Sequence, residues 1–316
     1  MDSDWTASFG VFMSEYKRLI NLYEIGDPIS DDDLKKIQRG LVYLLGEIVK
    51  VCDEHNMKPF VIAGSLIGKV RHDGFIPWDD DLDLGMVRDD YDKFIDIFEK
   101  ELSERYVISA PFKGYNATNR FIQLGRKETV LQAADAVSDS QDLVTNHLYI
   151  DIFPFDYVPD NALLRKLKGI YCNFLMSIAG SVSYMETRND SIDGLFKHDL
   201  KGRIELIARV ILGKLFAFRT TSEWMTIVNN AVRCKKRGKY IANTVGRRHY
   251  FGEMIKTCDV LPLTKSNYCG VKIAEINNPD AYLTTLYGKY MEIPPIEKRE
   301  CHHAVKIDIP DYMIGK

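Results

Sequence analysis

Between Asp31 and Asn56 the apolar residues Leu34, Ile37, Leu41, Leu44, Leu45, Ile48 and Cys52 recur at spacings of three and four. Residues so spaced line one side of a helix, so a long amphipathic helix is expected here. Ser30 with Asp33 supplies a capping-box start. The preceding stretch, Phe12 to Tyr23, also reads as a helix and ends at Gly26-Asp27-Pro28. After His55-Asn56, the run Phe60-Val61-Ile62-Ala63 is expected to be a short buried strand, closed by Gly64-Ser65 and followed by a brief helix through Leu66-Ile67. Phe75-Ile76-Pro77-Trp78 then leads into Asp81-Leu82-Asp83-Leu84-Gly85-Met86, where acidic and apolar residues alternate with period two, the pattern of a strand with one polar face. A helix from about Asp89 to Leu102 follows, with strands expected at Tyr106-Ser109, Arg120-Leu124 and Leu148-Phe153.

The second half changes character. Leu163 to Tyr184 and Ile204 to Phe218 are strongly apolar helical stretches that carry Arg165, Lys166, Lys168, Arg203, Arg209 and Lys214. They read as core-packing helices; the alternative reading is a basic amphipathic surface that docks on the inner face of a membrane. The fold class expected from this order is α+β: a mixed sheet flanked by helices, with a mostly helical second half.

With 46% hydrophobic residues in a chain of 316, a sizeable core is expected. A net charge of −3 provides no global positive field, which argues against nucleic acid as a partner. The start Met1-Asp2-Ser3-Asp4 lacks the basic and apolar regions of a secretory signal, and no apolar stretch is long enough to span a bilayer, so a cytoplasmic protein is expected. The six cysteines form no C-x-x-C pair; they are expected to be mostly buried thiols rather than zinc ligands or disulfides.

The chemistry concentrates in Asp79-Asp80-Asp81-Leu82-Asp83. On a strand, Asp79, Asp81 and Asp83 share a face, with Leu82 and Leu84 turned to the core, and successive carboxylates on that face lie roughly 7 Å apart. Ionised carboxylates this close repel, and a divalent cation relieves the repulsion. Oxygen-only ligands suit Mg²⁺, with Mn²⁺ as a substitute. The competing reading is a solvated acidic turn. Asp151, flanked by isoleucines, is costly to bury without a positive partner and fits as a third acid. The strand–Gly64-Ser65–helix layout suits a phosphate at a helix start. Arg71, His72, Lys298, Arg299, His302 and His303 are candidates to meet donor or acceptor phosphates, and Trp78 to meet a quaternary ammonium by cation–π attraction.

The stretch from Ala63 through Met86 closely resembles the signature of the LicD family, relatives of fukutin in the nucleotidyltransferase-fold superfamily. The likeness continues at Ile150-Asp151-Ile152-Phe153-Pro154-Phe155-Asp156, at Tyr287-Gly288 through Pro294-Pro295-Ile296-Glu297-Lys298-Arg299, and at His302-His303. The resemblance implies an Mg²⁺-dependent enzyme that moves a phosphorylated alcohol, such as phosphocholine from CDP-choline, onto a sugar hydroxyl of a cell-surface glycan or lipid-linked oligosaccharide precursor. Carried over, the superfamily pattern assigns Gly64 and Ser65 to the helix start and Asp81, Asp83 and Asp151 to metal and catalysis. Lys289 stands where Asp is more usual and Ser65 where Thr is commoner; neither change removes a metal ligand. Residues 1–30 are read as an N-terminal helical extension and 31–160 as the nucleotidyltransferase-like catalytic core. Residues 161–316 are read as a mostly helical region with a C-terminal substrate-binding segment, packed as one unit with the core. Two rival readings are a nucleotidylyltransferase using the same site and an inactive glycan-binding relative.

Overall fold

The computed structural model describes residues 27–133, 144–188, 200–234, 236–296, 299 and 303–315. The helix expected at Phe12 to Tyr23, together with Lys298 and His302, lies outside the described residues, as does the His303 side chain. Asp27–Pro28 is a short strand, β1, and helix α1 follows at Asp31–Glu54. The Ser30 hydroxyl accepts from the Asp33 amide at 3.1 Å and donates to the Asp33 carboxylate at 2.8 Å. The N-cap is therefore as expected, although the carboxylate answers the hydroxyl rather than the Ser30 amide of a full capping box. Ile37, Leu41, Leu44, Leu45, Ile48 and Cys52 are all fully buried along one face of α1.

The chain continues through β2 (Phe60–Val61), α2 (Ala63–His72), β3 (Asp83–Val87), α3 (Arg88–Glu101), β4 (Tyr106–Ser109), β5 (Ile122–Arg126), β6 (Val130–Ala133) and β7 (Tyr149–Val158). It then runs through helices α4 (Ala162–Thr187), α5 (Leu200–Phe216) and α6 (Thr221–Val232). Strands β8 (Tyr240–Ala242), β9 (Met254–Lys256), β10 (Thr264–Tyr268) and β11 (Val271–Glu275) follow, then α7 (Pro279–Tyr287) and β12 (His303–Asp308). The main sheet has the order β10-β11-β2-β3-β7-β5-β4, with β8 also paired to β7 and β9 to β8. The β11–β2 and β3–β7 pairs are parallel and the others antiparallel, so the sheet is mixed. A smaller sheet has the order β1-β12-β6.

The architecture is thus α+β, and the helical second half also returns strands to the sheet. The main sheet separates two apolar layers. Leu82, Leu84, Met86, Ile150 and Ile152 pack toward α1 and α3, while Phe60, Phe153 and Phe155 pack toward α2, α4, α6 and α7. The expectation of mostly buried thiols is corrected for the five described cysteines: Cys52 and Cys172 are buried, Cys234 is half-buried, and Cys258 and Cys269 are exposed, because they sit in or beside short surface turns rather than on a core face.

One buried ion pair ties the two halves of the chain together. Arg88, at the start of α3, makes a bidentate contact with Asp156 on β7, at 2.8 Å through Nε and 2.6 Å through Nη2. The same guanidinium donates to Asn229 Oδ1 on α6 at 2.8 Å, and the Thr244 hydroxyl donates to Asp156 at 3.2 Å. Asp156 is fully buried, so its charge depends on these donors. Arg88→Ala is expected to lower unfolding stability by about 3–5 kcal/mol, because it leaves the carboxylate buried without its cation. Replacing both partners by apolar residues of similar size should recover most of that loss, as read by denaturant titration; equal losses in the single and double variants would show that the charge pair is not the cause.

Candidate active site

Strand β3 begins at Asp83, and its parallel register with β7 places Asp83 directly beside Asp151. Adjacent strands lie about 4.8 Å apart, so the two side chains stand next to each other on one face of the sheet. It is the face that also carries Gly85, whose missing Cβ would meet Phe60, Ile62 and Phe155. The expected polar strand running back to Asp79 is therefore shorter than its alternation suggests. Asp79 and Asp81 lie in the segment before β3, because pairing with β7 reaches back only as far as the Leu82 carbonyl, which accepts from the Asp151 amide at 3.2 Å. Leu82 and Leu84 are buried in the opposite layer, so the alternation itself holds. Gln38, on α1, anchors the loop by donating to the Asp79 carbonyl at 2.8 Å.

The start of α2 closes on these acids. Ala63 takes a left-handed conformation at φ 49°, a strained turn for a residue with a Cβ, and the Ile62 amide donates to the Asp83 carbonyl at 3.1 Å. Ser65 is buried, and its hydroxyl accepts from the Asp83 amide at 2.9 Å. Ser65 thus positions the backbone of Asp83. A Cβ on Gly64 would lie 3.3 Å from an Asp79 carboxylate oxygen, which puts that acid against the helix start, where the dipole favours negative charge. One turn later Gly68 lets the chain fold back. A Cβ there would fall 2.4 Å from the Gly74 carbonyl and 2.7 Å from the Ile76 amide, so no larger residue permits the return that aims residues 77–83 at α2.

Burial and crowding dominate the electrostatics. Burial, and then the negative charges of Asp81, Asp151, Asp79 and Glu253, push the Asp83 carboxyl far above the ordinary carboxylate range. Burial, reinforced by Asp81, pushes Asp151 up to about 7, although the Gln123 amide, donating at 3.0 Å from β5, favours its ionised form.

Glu253 is the residue the sequence reading missed. It precedes β9, is nearly inaccessible to solvent, and burial pushes it up to about 7 against the opposing pull of Asn243, Arg248 and Arg120. Its Oε2 is buried without a hydrogen-bond partner. Nearby, Arg120 donates to His249 Nδ1 at 2.9 Å, and burial with the Arg120 and Arg209 charges holds that imidazole down at about 4, hence neutral at physiological pH. Burial also pulls the buried Arg120 down to about 10, opposed by Glu253. Tyr287, at the end of α7, feels Glu253, Asp83 and Asp81, and Arg248 lies 5.7 Å above its ring. The signal for Glu253 in the sequence was faint, a single acid in Gly252-Glu253-Met254-Ile255 with no pattern around it.

The other candidates form a separate cluster. Arg71 donates to the Tyr290 carbonyl at 2.6 Å and the Glu292 carbonyl at 3.2 Å, and its Nε donates to His72 Nε2 at 2.9 Å. His72 meets Trp78 edge to face at 6.0 Å, and the Arg299 guanidinium lies 4.1 Å from the Trp78 ring centroid. The structure therefore brings Arg71, His72, Trp78 and Arg299 together, with Arg71 tying the backbone of Tyr290 and Glu292 to α2. The Trp78 face already carries a cation, so a quaternary ammonium would have to displace Arg299. Lys289 forms an exposed pair with Glu292 at 3.1 Å.

Among the described residues no three His, Cys, Asp or Glu side chains converge as a ready-made metal site. Asp83 and Asp151 nevertheless supply two adjacent carboxylates whose repulsion calls for a cation. That donor set fits Mg²⁺, which takes one or two carboxylates together with substrate phosphates.

Residues 56–168 match the family model described as LicD/FKTN/FKRP, nucleotidyltransferase domain. The chain is 24% identical over 287 residues to the lipopolysaccharide cholinephosphotransferase LicD of Haemophilus influenzae, a similarity spanning 85% of this chain and 96% of that protein. It is also 30% identical over 132 residues to an uncharacterized protein of Rickettsia typhi, covering 40% of this chain and 38% of that one. Asp83, Asp151, Gly64 and Ser65 all fall inside the matched region, and residues 56–168 of this chain are a LicD-family domain.

Proposed function

We propose that the chain is an Mg²⁺-dependent phosphotransferase. It would move a phosphorylated alcohol of phosphocholine type from a CDP-alcohol donor onto a sugar hydroxyl of a cell-surface glycan or glycolipid precursor. An acceptor carried on lipid would place the reaction at the inner face of a membrane. The observation that carries this reading is the register of β3 and β7, which sets Asp83 beside Asp151 at the mouth of α2. Similarity to a lipopolysaccharide cholinephosphotransferase along 96% of that protein's length supports the class of reaction.

In this scheme Asp83 and Asp151, with Asp81 near them, would hold the ion, which would supply positive charge to offset that of the donor phosphates during transfer. Ser65 keeps Asp83 in place through its amide, and Gly64 leaves the helix start open to a phosphate oxygen. Glu253, balanced near neutrality on the side facing Asp83, is suited to take the proton of the acceptor hydroxyl, as is Asp151 where it is not engaged by the ion.

The reaction is tested by incubating the protein and Mg²⁺ with a panel of CDP-alcohols and following CMP release and labelling of a sugar acceptor. Release of CMP with transfer of the phosphorylated alcohol is the expected outcome; incorporation of the nucleotide itself would identify a nucleotidylyltransferase instead. Asp83→Asn should reduce turnover at least about 10³-fold with the melting temperature retained, while Glu253→Gln should reduce kcat about 10²-fold, the typical scale of a lost general base. Full activity in Asp83→Asn would overturn the assignment.

A second test uses stability. Asp151 is raised in the folded state, so it holds a proton there that the unfolded chain has already released. Its stabilising contribution is complete below about pH 4 and is lost as pH rises through about 7. Without divalent cations, the wild type should therefore lose stability between pH 5 and pH 8 relative to Asp151→Asn, by on the order of 1–2 kcal/mol after screening. Millimolar Mg²⁺ should recover that loss at pH 8 and do little at pH 5, because a cation binds only the ionised site. Melting curves that are parallel for the two proteins at all pH values would sink this reading.

A further inference from the structure

Helices α4 and α5 carry an apolar surface that the described core leaves uncovered. On α4, Leu163, Leu164, Leu167, Ile170, Tyr171 and Phe174 are each 50–65% exposed. Their spacing places them on one stripe, opposite the buried Cys172, Leu175, Met176 and Ala179. On α5, Ile204, Ile207, Ile211 and Leu215 repeat at three and four and are 58–66% exposed, and Phe218 just beyond is 70% exposed.

The two helices pack antiparallel. Leu206 meets Tyr184, and Gly213 faces Ser181 so closely that a Cβ would lie 2.6 Å from the Ser181 carbonyl. Phe174, Phe216 and Phe218 join the stripes through ring contacts of 6.3 and 6.0 Å. Large apolar side chains exposed to this extent add up to roughly 1,000 Å², well above the few hundred Å² that a monomer ordinarily leaves to water.

The charge around this surface identifies what covers it. Helix α4 bears Arg165, Lys166 and Lys168 against one acid, Glu186, and α5 bears Lys201, Arg203, Arg209 and Lys214 against Glu205, in a chain whose net charge is −3. Some of these cations are spent inside the protein: Arg165 donates to the Pro159 carbonyl at 2.8 Å, Lys168 to the Arg233 carbonyl, and Arg209 pairs with Glu205 at 3.0 Å. Lys166 and Lys214 are exposed, and helical periodicity puts Lys166 at the edge of the α4 stripe and Lys214 at the edge of the α5 stripe. Apolar stripes bordered by lysine and arginine are the composition of a surface that lies in the lipid headgroup region. A like-charged border disfavours a second copy of the same face. No helix among the described residues is long and apolar enough to cross a bilayer, so the contact is with one leaflet.

We infer that the α4–α5 face docks on the surface of an anionic lipid bilayer, burying the two apolar stripes among the acyl chains while Lys166 and Lys214 meet lipid phosphates. The inference rests on this surface alone and stands whether or not the proposed reaction is correct.

The test is co-sedimentation of the full chain with vesicles of phosphatidylcholine alone or mixed with phosphatidylglycerol. Binding is expected to the anionic vesicles, at least tenfold weaker to the neutral ones, and weakened by salt. Leu167→Glu with Ile211→Glu, and separately Lys166→Glu with Lys214→Glu, should each reduce binding at least tenfold with an unchanged circular-dichroism spectrum and melting temperature. Absence of binding to anionic vesicles would overturn the inference, as would binding indifferent to both double variants. So would light scattering that shows a wild-type dimer converted to monomer by Leu167→Glu with Ile211→Glu, since a second copy would then be what covers the face.

Discussion

The site depends on one pairing, the parallel alignment of β3 with β7 that sets Asp83 against Asp151. A slip of one residue would turn Asp83 to the layer that holds Leu82 and Leu84, or bring Asp151 opposite an apolar neighbour, and the carboxylate pair would be lost. Several contacts hold the alignment at its mouth. The Leu82 carbonyl accepts from the Asp151 amide, the Asp83 carbonyl from the Ile62 amide, and the Ser65 hydroxyl from the Asp83 amide. Each involves the backbone of β3 or the residue before it, which leaves the carboxylates available to a ligand. On the other edge of β7, Gln123 steadies Asp151 from β5.

The fold treats its buried acids in two ways. Asp156 receives a bidentate guanidinium and a hydroxyl, so its charge is neutralised within the protein and the result is structural. Asp83 feels Asp79, Asp81, Asp151 and Glu253; burial raises Asp83, Asp151 and Glu253 alike, and neighbouring acids add to the effect at Asp83 and Asp151. Adjacent buried carboxylates such as Asp83 and Asp151 repel when ionised, a cost that a bound cation would offset, whereas Asp156 meets its cation within the protein. Arg120 shows the same economy from the positive side: it donates to a neutral imidazole, and the charge it feels is that of Glu253.

Much of this was legible in the chain. The spacing of Ile37 through Cys52 located α1, and Tyr106–Ser109 was bounded correctly as a strand. The alternation of Leu82, Asp83 and Leu84 assigned the carboxylate its face, because a strand residue must choose one side of the sheet. Less legible were β8 to β11, which are short or, like Thr264–Tyr268, largely polar, and which exist because the sheet offers them a partner. The turn at Cys269-Gly270, both at positive φ, was the one local signal for the β10–β11 hairpin. Ser65 was read as a phosphate contact because Gly-Ser at a helix start suggests one; that its hydroxyl receives the Asp83 amide is a tertiary fact that spacing does not encode. Glu253 was invisible for the same reason, since its meaning comes from facing Asp83 across the fold.

Helix α4 connects the surroundings of the buried acids to the exposed apolar surface. Its inner side buries Cys172, Leu175 and Met176 against the layer that contains Phe153 and Phe155, and Met176 Sδ accepts from Arg120 at 3.2 Å, next to His249 and Glu253. Its outer side carries Leu167, Ile170 and Phe174 into solvent. A single helix therefore touches the surroundings of Glu253 on one side and presents an apolar stripe on the other, so whatever seats α4 also orients the buried acids. Rigid elements hold such geometry better than loops, because their side chains move together with the backbone hydrogen bonds that define them. For an enzyme whose acceptor is carried on lipid, that coupling would set the acids at a fixed height above the surface from which the acceptor projects.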